Sequence, residues 1–481
     1  MSHSNLFLSP PAPFVIVLCG LLLLGGCQSA KVPASPDELT FPSTVDWPSY
    51  EMNHFRLDNG VQCFVAENHE LPLVKLVVKV RSGEVDVPAG KEGLAQITAQ
   101  AMRSGGSDRY PEDELNRKLE NRAAQMGISF DLDSGEASLN CLSQDFKELL
   151  PVFLDVLRHP ALPSRKIALA KAQLKTEISR RNDETKEIGF RKLKELVYGK
   201  DTVYSRVPQY ASVEAVSRRD LKSFQERAFT GSNMIVGLVG DFETESMKEL
   251  LKEAFSRVPP GSRKSLSFPQ SESRFEPGVY FVDKPDVNQT FVLLGHLGGY
   301  RQNPDYAALQ VFNQVLSGGF SGRLFESIRT EKGLAYSVFG DFGCNVFYPG
   351  MFFVGLETKT DRTAEAVRAV RSELRRMQQQ GVTEEELRQA KDQFLNSLVF
   401  RYESPLEVLK RRLYYAYSGM DQDSFEQLIE EIKAVGPKDV HRVAREYIRI
   451  DELKVLLVGS EDELQQQLDR LGAVRELKLE K

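Results

Sequence analysis

Gly93-Leu94-Ala95-Gln96-Ile97-Thr98-Ala99-Gln100-Ala101-Met102 is the stretch on which the reading of this chain turns. Taken as a helix, it presents Gln96, Ala99 and Gln100 at i, i+3 and i+4. A helix with His, Glu and His in those three places holds zinc with its imidazoles, while the carboxylate activates a metal-bound water. Gln offers no lone-pair nitrogen to zinc, and a neutral amide oxygen is a poor ligand for a borderline-soft cation. Ala99 cannot accept a proton. The six His (His3, His54, His69, His159, His296, His441) show no i,i+3 or i,i+4 pairing, so a second helical zinc site is not expected elsewhere.

The words around this stretch are specific. Gly93-Leu94-Ala95 leads in, and Ser104-Gly105-Gly106 and Arg109-Tyr110-Pro111 follow. The frame resembles the inverzincin peptidases of family M16, the pitrilysin, insulinase and mitochondrial-processing-peptidase group. The resemblance covers about residues 50–475. It implies that Glu177, 81 residues after Gln96, stands where the family places its third zinc ligand. The family's helper Glu, seven residues earlier, is Ala170 here. One carboxylate alone does not hold zinc. The chain therefore looks like a zinc protease whose zinc site has been erased, and no cofactor is expected in it. Taken without the resemblance, Glu177 reads as a solvated or salt-bridged helix residue.

At 481 residues the chain is too long for one hydrophobic core, and two domains are expected. Apolar content of 41% and charge of 27% fit a globular protein. A net charge of −6 with no Lys/Arg block argues against a nucleic-acid partner. The chain repeats itself once. Met234 to Asp241 is a strand ending in a turn, followed by the helical Glu243 to Phe255. Leu453 to Ser460, followed by Glu461 to Leu471, is the same unit 219 residues later. Each copy is preceded by an amphipathic helix, near Asp220 to Ala228 and Lys438 to Tyr447. The Ser/Gly turns Ser104-Gly105-Gly106 and Ser317-Gly318-Gly319 also correspond. A duplication of this period means two similar α/β domains.

Strands are legible at Val74 to Val80, Ala137 to Leu142 and Gly350 to Leu356. Phe146, Leu149, Leu150, Phe153 and Leu157 form one helical stripe, and Thr383 with Glu386 makes a capping box opening a helix to about Phe400. The mixture lacks a strict βαβ rhythm, so the fold class is α+β. By resemblance, each half is an M16 sandwich of one mixed sheet covered by helices. The expected layout is a signal segment 1–27, a tether 28–47, a first domain 48–258, a Pro/Ser-rich linker 259–277 and a second domain 278–481.

The second half carries Ser317-Gly318-Gly319-Phe320-Ser321-Gly322-Arg323-Leu324-Phe325-Glu326-Ser327-Ile328-Arg329, then Thr330-Glu331-Lys332-Gly333-Leu334-Ala335-Tyr336-Ser337. It has neither Gly-Lys-Ser/Thr nor Rossmann spacing, so it is no phosphate cradle. It resembles the C-terminal domain of active M16 enzymes, where an Arg and a Tyr seven apart face the zinc across the cavity. The resemblance maps these onto Arg329 and Tyr336, with Gly318 and Gly319 beside substrate. A Tyr hydroxyl can donate to a developing oxyanion, and Arg can grip a neighbouring carbonyl. Read in isolation, Arg329 would cap a helix end and Tyr336 would pack in a strand.

Phe14 to Leu24 is an apolar run broken by Cys19 and Gly20, too short to span a bilayer and of signal-peptide length. Leu24-Gly25-Gly26-Cys27 resembles a bacterial lipobox, in which Cys27 is acylated and becomes the new N-terminus. Met1 to Phe14 contains no Lys or Arg, a departure from the usual basic start. Gln28 after the Cys implies, by resemblance to lipoprotein sorting, an outer-membrane address, with the protein facing the periplasm. More than one acyl chain gives a stable anchor. Residues 28–47, with Pro33, Pro36 and Pro42, suit a tether. Cys63, Cys141 and Cys344 remain; the favoured reading is three small buried apolar residues, with a Cys63–Cys141 pair as the alternative.

Some bacterial M16 proteases are heterodimers in which one subunit has His-x-x-Glu-His and the other supplies the Arg/Tyr pair. The resemblance thus implies a zinc-free, Arg/Tyr-bearing subunit of a heteromeric metallopeptidase, inactive alone. Its partners would be a zinc-bearing paralogue and peptides added as a strand to a sheet edge. The alternative is a non-catalytic scaffold or peptide-binding lipoprotein.

Overall fold

Two runs of strongly apolar, β-branched residues recur one repeat apart, and each becomes the middle of a six-stranded sheet. The computed structural model describes residues 50–262, 268–270 and 275–480. The expected signal segment, the tether and Cys27 lie outside these residues, as do 263–267 and 271–274 of the expected linker.

The first half runs β1 (Asn53–Arg56), β2 (Gln62–Glu67), β3 (Leu73–Val80), α1 (Leu94–Gly105), α2 (Glu112–Glu120), β4 (Gln125–Phe130), β5 (Gly135–Leu142), α3 (Ser143–Arg158), α4 (Ser164–Arg180), α5 (Thr185–Tyr198), α6 (Tyr210–Ala215), α7 (Arg218–Ala228), β6 (Met234–Gly240) and α8 (Thr244–Phe255). The second half runs β7 (Gly278–Asp283), β8 (Gln289–Leu297), β9 (Gly299–Tyr300), α9 (Tyr306–Ser317), β10 (Ala335–Phe342), β11 (Cys344–Asn345), β12 (Met351–Lys359), α10 (Thr363–Gln380), α11 (Glu384–Arg401), α12 (Pro405–Ser418), α13 (Ser424–Ala434), α14 (Pro437–Tyr447), β13 (Lys454–Gly459), α15 (Glu461–Asp469) and β14 (Val474–Glu476).

The sheets have the orders β1-β2-β6-β3-β5-β4 and β10-β12-β8-β13-β7-β14. Both are mixed. β2 pairs parallel with β6, and β7 pairs parallel with both β13 and β14, while β3 runs antiparallel to β6 and β8 antiparallel to β13. This is the α+β double sandwich read from the duplication. β6 is buried along its whole length, as is β13, which explains why these two strands read as unbroken apolar runs. The stripe Phe146, Leu149, Leu150, Phe153 and Leu157 faces the first core. The capping box of Thr383 and Glu386 opens α11, with Glu386 N–H bonded to Thr383 Oγ1.

Each sheet is covered on one face by helices of its own half and on the other by a helix from the opposite half. α5 lays Ile188, Leu193, Leu196 and Val197 on Tyr280, Val282, Phe291, Leu293, Leu456 and Val458 of the second sheet. One repeat later, α12 lays Leu409, Leu413 and Tyr417 on Phe64, Ala66, Val77, Ile235 and Val239 of the first. Glycine makes the approach possible on both sides. A Cβ on Gly237 would stand 2.7 Å from Leu413 Cδ1, and one on Gly189 would stand 2.7 Å from Phe291 Cδ1. Arg81 fixes the end of α12 by donating to the carbonyls of Ala416 and Tyr417, with its guanidinium over the Tyr417 ring.

Cys63, Cys141 and Cys344 are free. Cys63 lies on β2 and Cys141 on β5, with β6 and β3 between them. Three strand spacings alone separate them by about 14 Å, and the register sets Cys141 further along its strand, beyond disulfide reach. Burial pushes both thiols up to about 12. The alternative of a Cys63–Cys141 pair is thereby set aside.

Candidate functional site

The helix that decides the reading is α1. Gly93 starts it from the left-handed region, at φ 95°, with no side-chain cap. Leu94, Ala95, Ile97 and Thr98 face inward, and α4 packs beside them through Leu174 and Ile178. That packing brings Gln96 to Glu177: the amide Nε2 donates to carboxylate Oε2 at 2.8 Å. Glu177 is exposed, as a solvated helix residue would be. It receives an amide from the residue that stands where the first imidazole would be. Ala99 is 4% exposed and Ala170 is 2% exposed, so neither place offers a proton acceptor or a second carboxylate. Gln100 Oε1 is buried without a hydrogen-bond partner. Among the described residues no cluster of three His, Cys, Asp or Glu could hold a metal ion. The donor set here, one carboxylate and two amides, does not fit zinc.

Gln96 also lines a cavity of about 790 Å³ between the halves, with Glu84, Glu92, Arg206, Phe190, Tyr198, Asp341 and Phe353. Burial raises the Glu84 carboxyl to about 7, against the opposing pull of Arg206 and of the Gln96 backbone N–H at the start of α1. Burial likewise raises Asp341 above the usual carboxylate range. The sequence reading did not single out Glu84; no spacing ties it to the α1 motif. It also passed over His69, whose Nδ1 meets Asp241 at 2.6 Å and whose Nε2 meets Glu67 at 2.7 Å. Asp241 first, then Glu67, raises the imidazole above its ordinary value.

Arg329 and Tyr336 do meet. The Arg329 guanidinium carbon sits 4.6 Å from the centre of the Tyr336 ring and 4.6 Å from that of Phe325. Two backbone irregularities aim them. Arg329 lies on a π-helical stretch, Phe325–Glu331, and Tyr336 lies in a β-bulge. In that bulge Tyr336 and Ser337 together oppose Glu357, because Ala335 pairs with Thr358 and Val338 with Leu356. Both irregularities are devices that re-aim side chains and concentrate near functional sites. Tyr336 is 83% exposed, so it does not pack in the strand. Neither its hydroxyl nor the Arg329 guanidinium makes a hydrogen bond among the described residues.

The base of this feature is braced. Arg323 is buried and donates to both Glu386 oxygens, at 2.6 and 2.9 Å, and to the Gly381 carbonyl at 2.8 Å. Gly318 accepts from Gln393 Nε2 at 3.0 Å, and Gly319 turns the chain at φ 62°. The cavity that Gln96 lines includes neither Arg329 nor Tyr336. The two constellations therefore do not combine into one site around that cavity. Two of the four sheet edges, β4 and β10, have backbone groups taken up by side chains. Arg103 Nε donates to the Met126 carbonyl on β4, and on β10 Ser317 takes the Gly340 carbonyl while Asn313 takes the Phe342 N–H.

A repeated mixed-sheet sandwich with a degenerate metal helix in one half and an Arg/Tyr pair in the other defines a peptidase-like class. The model described as "Insulinase (Peptidase family M16)" matches residues 63–207, and "Peptidase M16 inactive domain" matches 215–394. The chain belongs to the M16 family as a peptidase-like member. It is 24% identical over 398 residues to the "Non-peptidase homolog YmxG" of Helicobacter pylori, spanning 82% of this chain and 90% of that one. Among solved structures it is similar to the peptidase M16 inactive domain from Pseudomonas fluorescens. That likeness has a TM-score of 0.76 and 22% identity, covering 85% of this chain and 98% of the other. It also resembles the periplasmic protease PqqL of Escherichia coli, with TM-score 0.73 and 14% identity over 94% of this chain and 51% of that one.

Proposed function

We propose that this chain is the zinc-free, Arg/Tyr-bearing subunit of a heteromeric M16 metallopeptidase acting on peptides at the periplasmic side of the cell envelope. The observation that carries the reading is the Arg329–Tyr336 pair. It is stacked at 4.6 Å and held by a π-helical turn and a bulge, with Tyr336 open to solvent. A pair retained only for packing would not need two backbone irregularities and an exposed phenol. The partner is a paralogue with His-x-x-Glu-His, whose zinc would supply the activated water. In this chain Tyr336 donates its hydroxyl to the oxyanion that forms on the scissile carbonyl. Arg329, gripped between two rings with its N–H groups unspent, binds a neighbouring backbone carbonyl. Gln96, Ala99 and Gln100 give the first half's own metal position neither imidazole nor base, which supports the reading that the chain is inactive alone. Lipidation at Cys27 would hold it at the outer membrane. No helix of the described residues is long and apolar enough to cross a membrane.

A second reading, a non-catalytic scaffold or peptide-binding lipoprotein, is favoured by the name of the Helicobacter relative, a non-peptidase homologue. Co-expression with a His-x-x-Glu-His paralogue decides between them. A co-eluting complex that hydrolyses peptides, where neither chain alone does, supports the first reading. A paralogue fully active without this chain supports the second.

A further inference from the structure

The helical face of the first half carries a concavity of its own. Between α3 and α8 a slot of about 300 Å³ has Leu150, Leu154, Leu250 and Ala254 for its floor. It shares Lys147, Leu250 and Glu253 with a groove of about 640 Å³ between the same helices, floored by Phe146, Phe242 and Met247. Four cations line the slot: Arg109, Lys147, Arg158 and Arg257. None makes a side-chain hydrogen bond or ion pair among the described residues, and Arg158 Nε is buried without a partner. Elsewhere on α8 the pattern is the opposite, with Lys248 on Glu245 at 2.6 Å and Lys252 on Glu249 at 2.7 Å. The ends of α3 and α8 account for Arg158 and Arg257, since a cation offsets the negative end of a helix dipole. Lys147, in the first half of α3, and Arg109, in a loop, have no such reason. Against four cations the slot has two carboxylates, Asp155 and Glu253, and Asp155 already accepts from Ser107 Oγ at 2.5 Å. A chain of net charge −6 thus gathers unspent positive charge over an apolar floor.

We propose that this slot binds the phosphate headgroup of an anionic phospholipid, with the glycerol or first acyl carbons against the floor. Guanidinium groups match phosphate oxygens in pairs, and Lys147 adds a point charge. Free phosphate would leave the apolar floor unused. A docking helix needs a row of exposed apolar anchors, and Leu150 and Leu154 keep too little surface to serve, at 0% and 6% exposed. A headgroup with its slender glycerol fits both features. The proposal needs neither the metallopeptidase reading nor lipidation at Cys27.

The test uses the full chain carrying Cys27→Ser, so that no acyl chain reports binding, with vesicles of phosphatidylcholine alone or mixed with phosphatidylglycerol. In co-sedimentation the chain is expected on the mixed vesicles and not on phosphatidylcholine, with binding that weakens as salt rises. Any contribution of the apolar run Phe14 to Leu24 appears on both vesicles alike. Lys147→Gln and Arg109→Gln should each lower partitioning about fivefold, the effect of one cation at an anionic surface. Both side chains are exposed, so the melting temperature is unchanged, which separates lost binding from lost fold. Lys433→Gln, the same change of charge on the second half, should leave partitioning as it was. Equal binding to the two vesicles, binding to neither, or an equal loss in Lys433→Gln overturns the proposal. So does displacement of the chain by inorganic phosphate at the same concentration as the lipid phosphate, since the apolar floor then contributes nothing and the site is one for free phosphate. A Lys147→Gln chain that partitions as the wild type also overturns it; if that chain no longer joins the zinc-bearing paralogue, the slot is a protein contact instead.

Discussion

Restoring the motif through Gln96→His, Ala99→Glu and Gln100→His should give a protein that is less stable without metal and is stabilised by zinc. The cost has two parts. The Gln96–Glu177 hydrogen bond is lost; it is solvent-exposed, so it contributes only about 0.5–1 kcal/mol. The larger part is Ala99, 4% exposed, where a Glu side chain overfills the packing between α1 and its neighbours at about 1–3 kcal/mol. Together these lower stability by about 1.5–4 kcal/mol. At an unfolding entropy of about 2.1 cal/mol/K per residue, a chain of this size then melts about 1.5–4 °C lower. Zinc should reverse this, because Glu177 already points at position 96. At 100 times its dissociation constant a ligand returns about 2.7 kcal/mol. Ala170 leaves the ligand set without its supporting carboxylate, so affinity should remain about 10–100-fold below that of an intact site. Differential scanning fluorimetry with and without zinc, alongside elemental analysis, measures both terms. A triple variant as stable as wild type in chelator, or one whose melting point zinc leaves unmoved, refutes the placement of Glu177. Affinity equal to an intact site refutes the role assigned to position 170.

Glu84→Gln should stabilise the protein at alkaline pH. A carboxyl raised to about 7 binds its proton in the folded state over a range where the unfolded chain has lost it, so its contribution worsens as pH rises from about 4.5 through 7. The variant's advantage should grow to at most about 3 kcal/mol above pH 7 and vanish near pH 4.5, as read by urea denaturation across pH. Leu413→Ala, buried against Gly237 from the opposite half, should cost about 3–5 kcal/mol in the same assay and loosen the crossed-over α12. Cys27→Ser should release the protein from the outer-membrane fraction of its host without changing its melting point. A variant that stays membrane-bound points to another attachment.

The duplication was legible because Met234–Gly240 and Lys454–Gly459 are fully buried central strands, and full burial leaves an unbroken apolar run in sequence. The capping box at Thr383 was legible because it is local. The exchange of α5 and α12 was not. An amphipathic stripe shows that a helix is covered, never which sheet covers it, and the glycines that admit the crossing, Gly189 and Gly237, have no pattern of their own. At the site, residue types alone excluded zinc from α1. That Gln96 would bond Glu177 needed the packing of α1 on α4, since the two residues are 81 apart. The π-helical turn under Arg329 and the bulge under Tyr336 break the very periodicities from which elements are read, so the sequence named the pair but not what aims it. Glu84 escaped notice because its raised carboxyl is a product of burial, which no spacing encodes.

The central claim is that Tyr336 of this chain works on substrate in a site completed by another subunit. The most direct measurement is kcat/KM of the reconstituted heteromer with Tyr336→Phe, where the ring is kept and only the hydroxyl is removed. The account predicts a fall of about 100-fold, within the range for losing one oxyanion donor, with assembly and zinc content unchanged. Turnover at the wild-type rate in that variant would contradict it.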